Sequence, residues 1–293
     1  MPTMLTLAHS PDADDAFMFY ALAKELIDTE GLRFEHVLAD IETLNQQALK
    51  STYDVTAISF HAYAYLHQRY ALLRCGGSFG DGYGPLLVSR AAVGLALKAR
   101  PEGLVPNHLR GKCLAVPGQL TSAYLLLKLF APEAETISVR FDQIPTAVAQ
   151  GQVDAGLLIH EGQLTYAHAG LAPLVDLGAW WQQETGLPVA LGGIAVRRAL
   201  DPELLPRIAS VLKRSITYAL QHRPQALAHA LQFGRGLSAE LGDKFVGMYV
   251  NEWTLDCGEK GRQAIQLLLD RAYAAGLVPE RVPVELVPAR RAS

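Results

Sequence analysis

Short apolar runs that stop at polar loops and lead into amphipathic stretches recur along the chain. Residues 4–8 form such a run. They are followed by the loop Ser10-Pro11-Asp12-Ala13-Asp14-Asp15 and an amphipathic stretch over 16–26. This pattern predicts strand, loop and helix, with acidic side chains in the first helical turn, where free N–H groups favour them. The same periodicities predict strands over 33–39, 55–59 and 85–89, and helices over 41–50 and 62–69.

The middle of the chain repeats the plan. Residues 112–116 read as a strand, Pro117-Gly118-Gln119-Leu120-Thr121-Ser122 as a loop and 123–130 as a helix. A strand over 137–141, a helix over 144–150 and a strand over 153–159 follow, the last leading to His160. The two third strands match in detail. Tyr53-Asp54-Val55-Thr56-Ala57-Ile58-Ser59 parallels Val153-Asp154-Ala155-Gly156-Leu157-Leu158-Ile159-His160. Helices are predicted over 204–220, 224–233, 239–250 and 261–275 and are expected to return to the first lobe. Two similar lobes with one inserted in the other predict an α/β, two-lobed, periplasmic-binding-protein-like (type II) fold, its ligand cleft between the lobes. The expected division is 1–92 with 195–293, and 93–194 as the inserted lobe.

Composition narrows the function classes. The 293 residues are half hydrophobic and 19% charged, which is globular rather than disordered. A net charge of −3 without any Lys/Arg-rich run argues against nucleic acid or acidic lipid as a partner. Three cysteines in no Cys-x-x-Cys spacing argue against a disulfide framework or a zinc site. The first residues carry no basic and apolar leader pattern, and no stretch approaches ~18 apolar residues. No signal peptide and no membrane span are expected, and the chain is expected to work in the cytoplasm.

In open parallel sheets the ligand crevice lies at the carboxyl ends of the strands. That rule gathers Ser10, Ser59, Thr121, Ser122 and His160 near one crevice. Thr121 and Ser122 open a helix and can cap it, hold a ligand carboxylate, or both. The acidic loop is no EF-hand, because Phe17 and Ala23 stand where Gly and Glu would be needed. Capping, a ligand-hydroxyl contact and a part in lobe closure remain for it. His160 is either a structural polar residue or a general acid or base, its ordinary pKa lying near neutrality. Glu161 starts the next helix or orients the histidine. His9 and His61 could also line the crevice, whereas the other histidines read as surface or structural groups. No His/Asp/Glu spacing points to a metal. The glycine-rich stretch 76–85 lacks a phosphate loop's Gly-Lys-Ser/Thr and reads as a connector or cleft-lining loop. Trp180 and Trp181 either pack or wall a flat ring.

Several motifs together resemble the 1,4-dihydroxy-6-naphthoate synthase family of menaquinone biosynthesis. They are Ser10-Pro11 with Asp15-Ala16-Phe17-Met18-Phe19-Tyr20, Asp40-Ile41-Glu42-Thr43-Leu44-Asn45, Gly84-Pro85-Leu86-Leu87-Val88, Val116-Pro117-Gly118 with Thr121-Ser122-Ala123-Tyr124, Ile159-His160-Glu161 and Asp176-Leu177-Gly178-Ala179-Trp180-Trp181. Thr185-Gly186-Leu187-Pro188 and Leu191-Gly192-Gly193 complete the series, which runs over about 5–280 in the family's order. The resemblance implies a lyase that splits cyclic dehypoxanthine futalosine into the dihydroxynaphthoate and dihydroxyacetone, with no cofactor and no metal. The family's catalytic base falls on His160. Its substrate-binding stretches fall on Ala57-Ile58-Ser59 and on Ser122-Ala123, with Asn45 a further contact. Thr121 and Asp15, inside the matched motifs, complete the candidate set. The expected partner is a small carboxylate-bearing substrate, and a homodimer stays open. Two departures stand out: Asp12-Ala13-Asp14 replaces the family's frequent Cys-Pro-Asn, and Ala57 stands where Lys is frequent. Chorismate dehydratase, the sister enzyme on the same fold, and a non-catalytic small-anion-binding protein are the alternatives.

Overall fold

The computed structural model describes residues 3–91, 106–234 and 236–290. Twelve strands form two sheets. In the first, β1 (Thr3–His9), β2 (Leu32–Leu38) and β3 (Val55–Ser59) run parallel, with β1 in the middle. Beyond β3 come β11 (Val189–Arg197), β4 (Tyr70–Leu73) and the short β12 (Leu286–Val287), and β5 (Ser78–Gly80) pairs with β11. The second sheet repeats the plan. There β7 (Cys113–Val116) lies between its parallel neighbours β8 (Glu135–Ser138) and β9 (Ala155–Leu158), and β6 (Leu86–Arg90) and β10 (Leu171–Asp176) follow. In both sheets the strand beside the third one is antiparallel to it: β11 to β3, and β6 to β9.

The sheets exchange the chain earlier than the predicted division into 1–92, 93–194 and 195–293. The expected changeover at 92/93 lies outside the described residues, but Leu86–Arg90 already pairs in the second sheet. All of Val189–Arg197 belongs to the first. The reason is that each sheet takes its antiparallel strand from the other segment's flank, so the crossings fall between β5 and β6 and between β10 and β11.

Packing ties these elements together. The helix predicted over 16–26 is two short helices, Ala13–Met18 and Tyr20–Ala23, one face buried beneath the later helices Leu204–Gln221, Arg223–Ala230 and Ala239–Tyr249. These three cover the first lobe as expected. The fourth, Gly258–Ala274, joins a cluster that spans both sheets, with Phe60, Leu125, Leu157, Trp181 and Leu268. The lobes are therefore welded by apolar contact along one side. Cys75 and Cys257 are buried in this fold, burial raising their thiols to about 12 and about 11. No described helix is long and apolar enough to cross a membrane.

Candidate functional site

A cleft of about 780 Å³, its mouth included, opens at the carboxyl ends of β1, β3, β7 and β9. The walls come from both lobes. The first lobe supplies the loop Ser10 to Asp15 and Ala57-Ile58-Ser59, the second Thr121-Ser122-Ala123 and Ile159-His160. Gly192 and Gly193 of β11 also line it, as do Phe245 and Tyr249. A Cβ at Gly192 would meet the Ile58 carbonyl oxygen at 2.9 Å, so only glycine lets β11 lie this close.

Of the candidate set His160, Asp15, Asn45, Ala57, Ile58, Ser59, Thr121, Ser122 and Ala123, all but one reach this cleft. Ile58 presents its edge to it while its side chain joins the spanning core. Thr121 is committed to capping: its hydroxyl donates to the Gly118 carbonyl at 2.7 Å and accepts from the Tyr124 N–H at 3.2 Å. The Ser122 hydroxyl accepts the His61 N–H across the lobes at 3.2 Å. That leaves the N–H groups of Ser122 and Ala123, which the helix Ser122–Phe130 cannot satisfy internally, turned to the cleft for a ligand anion. Asn45 is the exception. It is wholly buried behind the wall, accepts the Ser59 N–H at 2.9 Å and donates to the Ser59 hydroxyl at 3.1 Å. It therefore orients Ser59.

His9 and His61 do not line the cleft. His9 pairs with His36 on β2 at 3.0 Å, and burial, aided by the His36 charge, lowers it to about 4. Trp181 is core, and Trp180 packs edge-on against Phe130. The aromatic surface of the cleft is instead Phe245 and Tyr249, from a helix whose sequence shows only core periodicity.

His160 ends its strand in the left-handed region, at φ +52. An L-residue pays roughly 1–2 kcal/mol for that conformation, which turns the ring into the cleft. Its Nδ1 lies 2.9 Å from Asp12 Oδ2, and its Nε2 is buried without a hydrogen-bond partner. The Ser10 hydroxyl and Asp14 Oδ1 are buried and unpartnered in the same cleft. Three such atoms facing one space mark a place built for a polar ligand.

The acidic loop carries one firm anion. Burial would raise Asp12, but the charge and hydrogen bond of His160 outweigh it and hold the carboxyl well below its usual range. Burial, then the Asp12 and Asp15 charges, pushes Asp14 well up. Burial and the Asp12 charge push Asp15 to about 8, while its carboxylate accepts the Ser10 N–H at 2.7 Å. On His160 burial pulls down, and Asp12, Glu161 and Asp15 together raise it above its ordinary value. The loop thus holds one carboxyl firmly as an anion, while burial beside that charge favours the protonated, donating form of the other two. Asp12, Asp14 and His160 place ligand atoms within 4.8 Å of one another, the spacing of a cation site. With Nδ1 turned to Asp12 as a donor, the group stands as a hydrogen-bonded chain. Among the described residues, none that lines the cleft is Lys or Arg.

Comparison with known proteins agrees with this geometry. Residues 5–274 match the family described as menaquinone biosynthesis. A 1,4-dihydroxy-6-naphthoate synthase of Thermus thermophilus is 42% identical over 273 residues, covering 93% of this chain and 95% of that protein. One of Streptomyces coelicolor is 36% identical over 285 residues, covering 95% and 96%. A crystal structure of an Archaeoglobus fulgidus protein superposes with a TM-score of 0.86 at 43% identity, covering 94% of this chain and 98% of that one. The alkanesulfonate-binding protein of Xanthomonas axonopodis pv. citri, at 14% identity and a TM-score of 0.72 over 97% and 96% of the two chains, shares the periplasmic-binding-protein-like fold. On this agreement of sequence, fold and cleft, the chain belongs to the menaquinone-biosynthesis family.

Proposed function

We propose that the protein is a 1,4-dihydroxy-6-naphthoate synthase, a carbon–carbon lyase that releases the naphthoate and dihydroxyacetone from cyclic dehypoxanthine futalosine in the cytoplasm, without metal or cofactor. The observation that carries this reading is His160, held in a strained conformation in the cleft wall with Nε2 left without a hydrogen-bond partner. Nε2 takes a proton from the substrate, the bond to the three-carbon fragment breaks, and aromatisation of the ring left behind drives the step. A positioned base contributes about 10²–10⁴-fold. With Ala57 in place of a cation, the substrate carboxylate falls to neutral donors, foremost the N–H groups of Ser122 and Ala123. The hydroxylated ring meets Asp14 and Asp15, and Phe245 and Tyr249 face its flat part.

The test incubates purified protein with cyclic dehypoxanthine futalosine in the presence of a chelator and follows the naphthoate by absorbance and mass spectrometry. Turnover is expected, and His160→Asn, which tolerates the left-handed backbone, is expected to lose about 10²–10⁴-fold in kcat while staying folded. Dehydration of chorismate instead would assign the sister activity, and binding without turnover would make this a small-anion-binding protein.

A further inference from the structure

We propose that Asp12 is the positioning residue of the reaction: it reaches across the cleft, fixes the tautomer and orientation of His160, and so makes Nε2 the nitrogen that takes the proton. The proposal deepens the reading of His160 as the base and rests on it.

The partners belong to different lobes. Asp12 follows β1 in the first, and His160 follows β9 in the second. Their contact is the 2.9 Å bond from Nδ1 to Oδ2, and the Asp12 side chain is only 2% exposed. A buried carboxylate is costly unless it is paired, and His160 supplies the pairing. A carboxylate can only accept, so Nδ1 carries the hydrogen in either protonation state, and in the neutral ring it is Nε2 that keeps the lone pair. The Phe141 ring meets the imidazole edge-on at 5.0 Å and closes one side of it. A backbone at φ +52 holds only where its surroundings over-determine it, and these two contacts do so here.

Asp12 also has a structural duty, since its Oδ1 accepts the Asp15 N–H at 3.4 Å as the cap of the helix Ala13–Met18. The two roles can be separated because they use different oxygens. Other bonds also cross between the lobes. Glu42 accepts the Leu120 N–H at 3.1 Å, and the Tyr249 hydroxyl donates to Gln163 at 2.8 Å. The Asp12–His160 pair therefore forms where the lobes are already in register, and a gap of a few ångströms between them would undo it.

The experiment compares Asp12→Ser with His160→Asn in the full-length protein. Serine caps helices as well as aspartate does but is too short to reach the imidazole. The expected result for Asp12→Ser, measured on protein that remains folded, is a kcat at least about tenfold lower with KM within about threefold. Loss of the orienting carboxylate in a serine protease costs up to about 10⁴-fold. Added formate is expected to restore part of the turnover of Asp12→Ser and none of that of His160→Asn. A cap alone would move neither kcat nor the formate response. Asp12→Asn, which keeps both volume and cap, takes over if Asp12→Ser does not fold. Wild-type kcat in the Asp12 variant beside a dead His160→Asn would overturn the proposal and leave His160 as the base. Wild-type kcat in His160→Asn would overturn the base reading itself.

Discussion

In both lobes the third strand is anchored at its start by an aspartate that reaches back to the first strand. Asp54 accepts the N–H and the hydroxyl of Thr6 on β1, at 3.0 and 3.1 Å. Asp154 accepts the N–H of Cys113 on β7, at 2.9 Å. From these matched beginnings the strands run to different ends. Ser59 sits at φ −73 as a helix N-cap, with N–H and hydroxyl both bonded to Asn45. His160 sits at φ +52, with one ring nitrogen bonded across the cleft and the other to nothing. The closed hydrogen-bond account makes the first end wall, and the open one makes the second end a site. Strain and unmet bonding persist where a ligand is to complete them.

The comparison breaks most visibly in kinetics. Against the loss expected for His160→Asn, Ser59→Ala should leave kcat within about tenfold and act mainly on KM, because Ser59 lines the cleft and, bonded to Asn45, moves no proton. An equal loss of kcat at both ends would mean the two ends share the chemistry. Next in size is Asn45→Ala. It leaves Ser59's N–H and hydroxyl buried without their partner, and about 2–3 kcal/mol of stability should go, read by denaturant unfolding. The two anchoring aspartates test the other half of the likeness. Asp54→Ala removes two bonds to Thr6 and the partner of Arg197, 2.5 Å away, and should cost about 2 kcal/mol. Asp154→Ala removes one bond and an exposed pairing with Lys112, and should cost about 1 kcal/mol. Equal costs would show that the second Thr6 bond and the Arg197 pair contribute nothing.

A further effect depends on pH. Asp15 is raised from 3.8 to about 8 by burial and by the Asp12 charge. The unfolded chain gives up this proton near pH 4 while the folded one keeps it to about 8, so stability falls as pH rises through that window. Asp15→Asn imitates the protonated form and can still accept the Ser10 N–H. Its melting temperature should match the wild type near pH 4 and exceed it increasingly toward pH 8. A variant that loses ground toward pH 8 would show that Asp15 is ionised in the fold.

Periodicity made β1, β3, β6, β7 and β9 legible, because each is a short apolar run bounded by polar or turn-forming residues, and β2 by its alternation, whereas the strand expected over 137–141 falls at Glu135–Ser138, whose residues are mostly polar and mostly exposed. It missed β4, whose four residues are buried on both faces, and β5 and β11, whose glycines read as loop. Those glycines are there for close approach between strands, which one chain segment cannot announce. Of the two readings left open for Trp180 and Trp181, packing holds: the helix Leu177–Thr185 buries Trp181 in the core and lays Trp180 against it. Phe245 and Tyr249, with nothing local to separate them from other core aromatics, line the cleft in their place.

The sequence by itself determined the repeated two-lobe plan, the crevice at the strand ends and the histidine that closes β9, since local hydrophobic pattern and polar punctuation are properties of neighbouring residues. Only the tertiary structure decided that Asp12 reaches that histidine, that Asn45 serves Ser59 and that the lobes trade strands at 80–86 and 176–189. Each of these depends on which distant surfaces meet when the sheets pack, and contact across a cleft leaves no period in the chain.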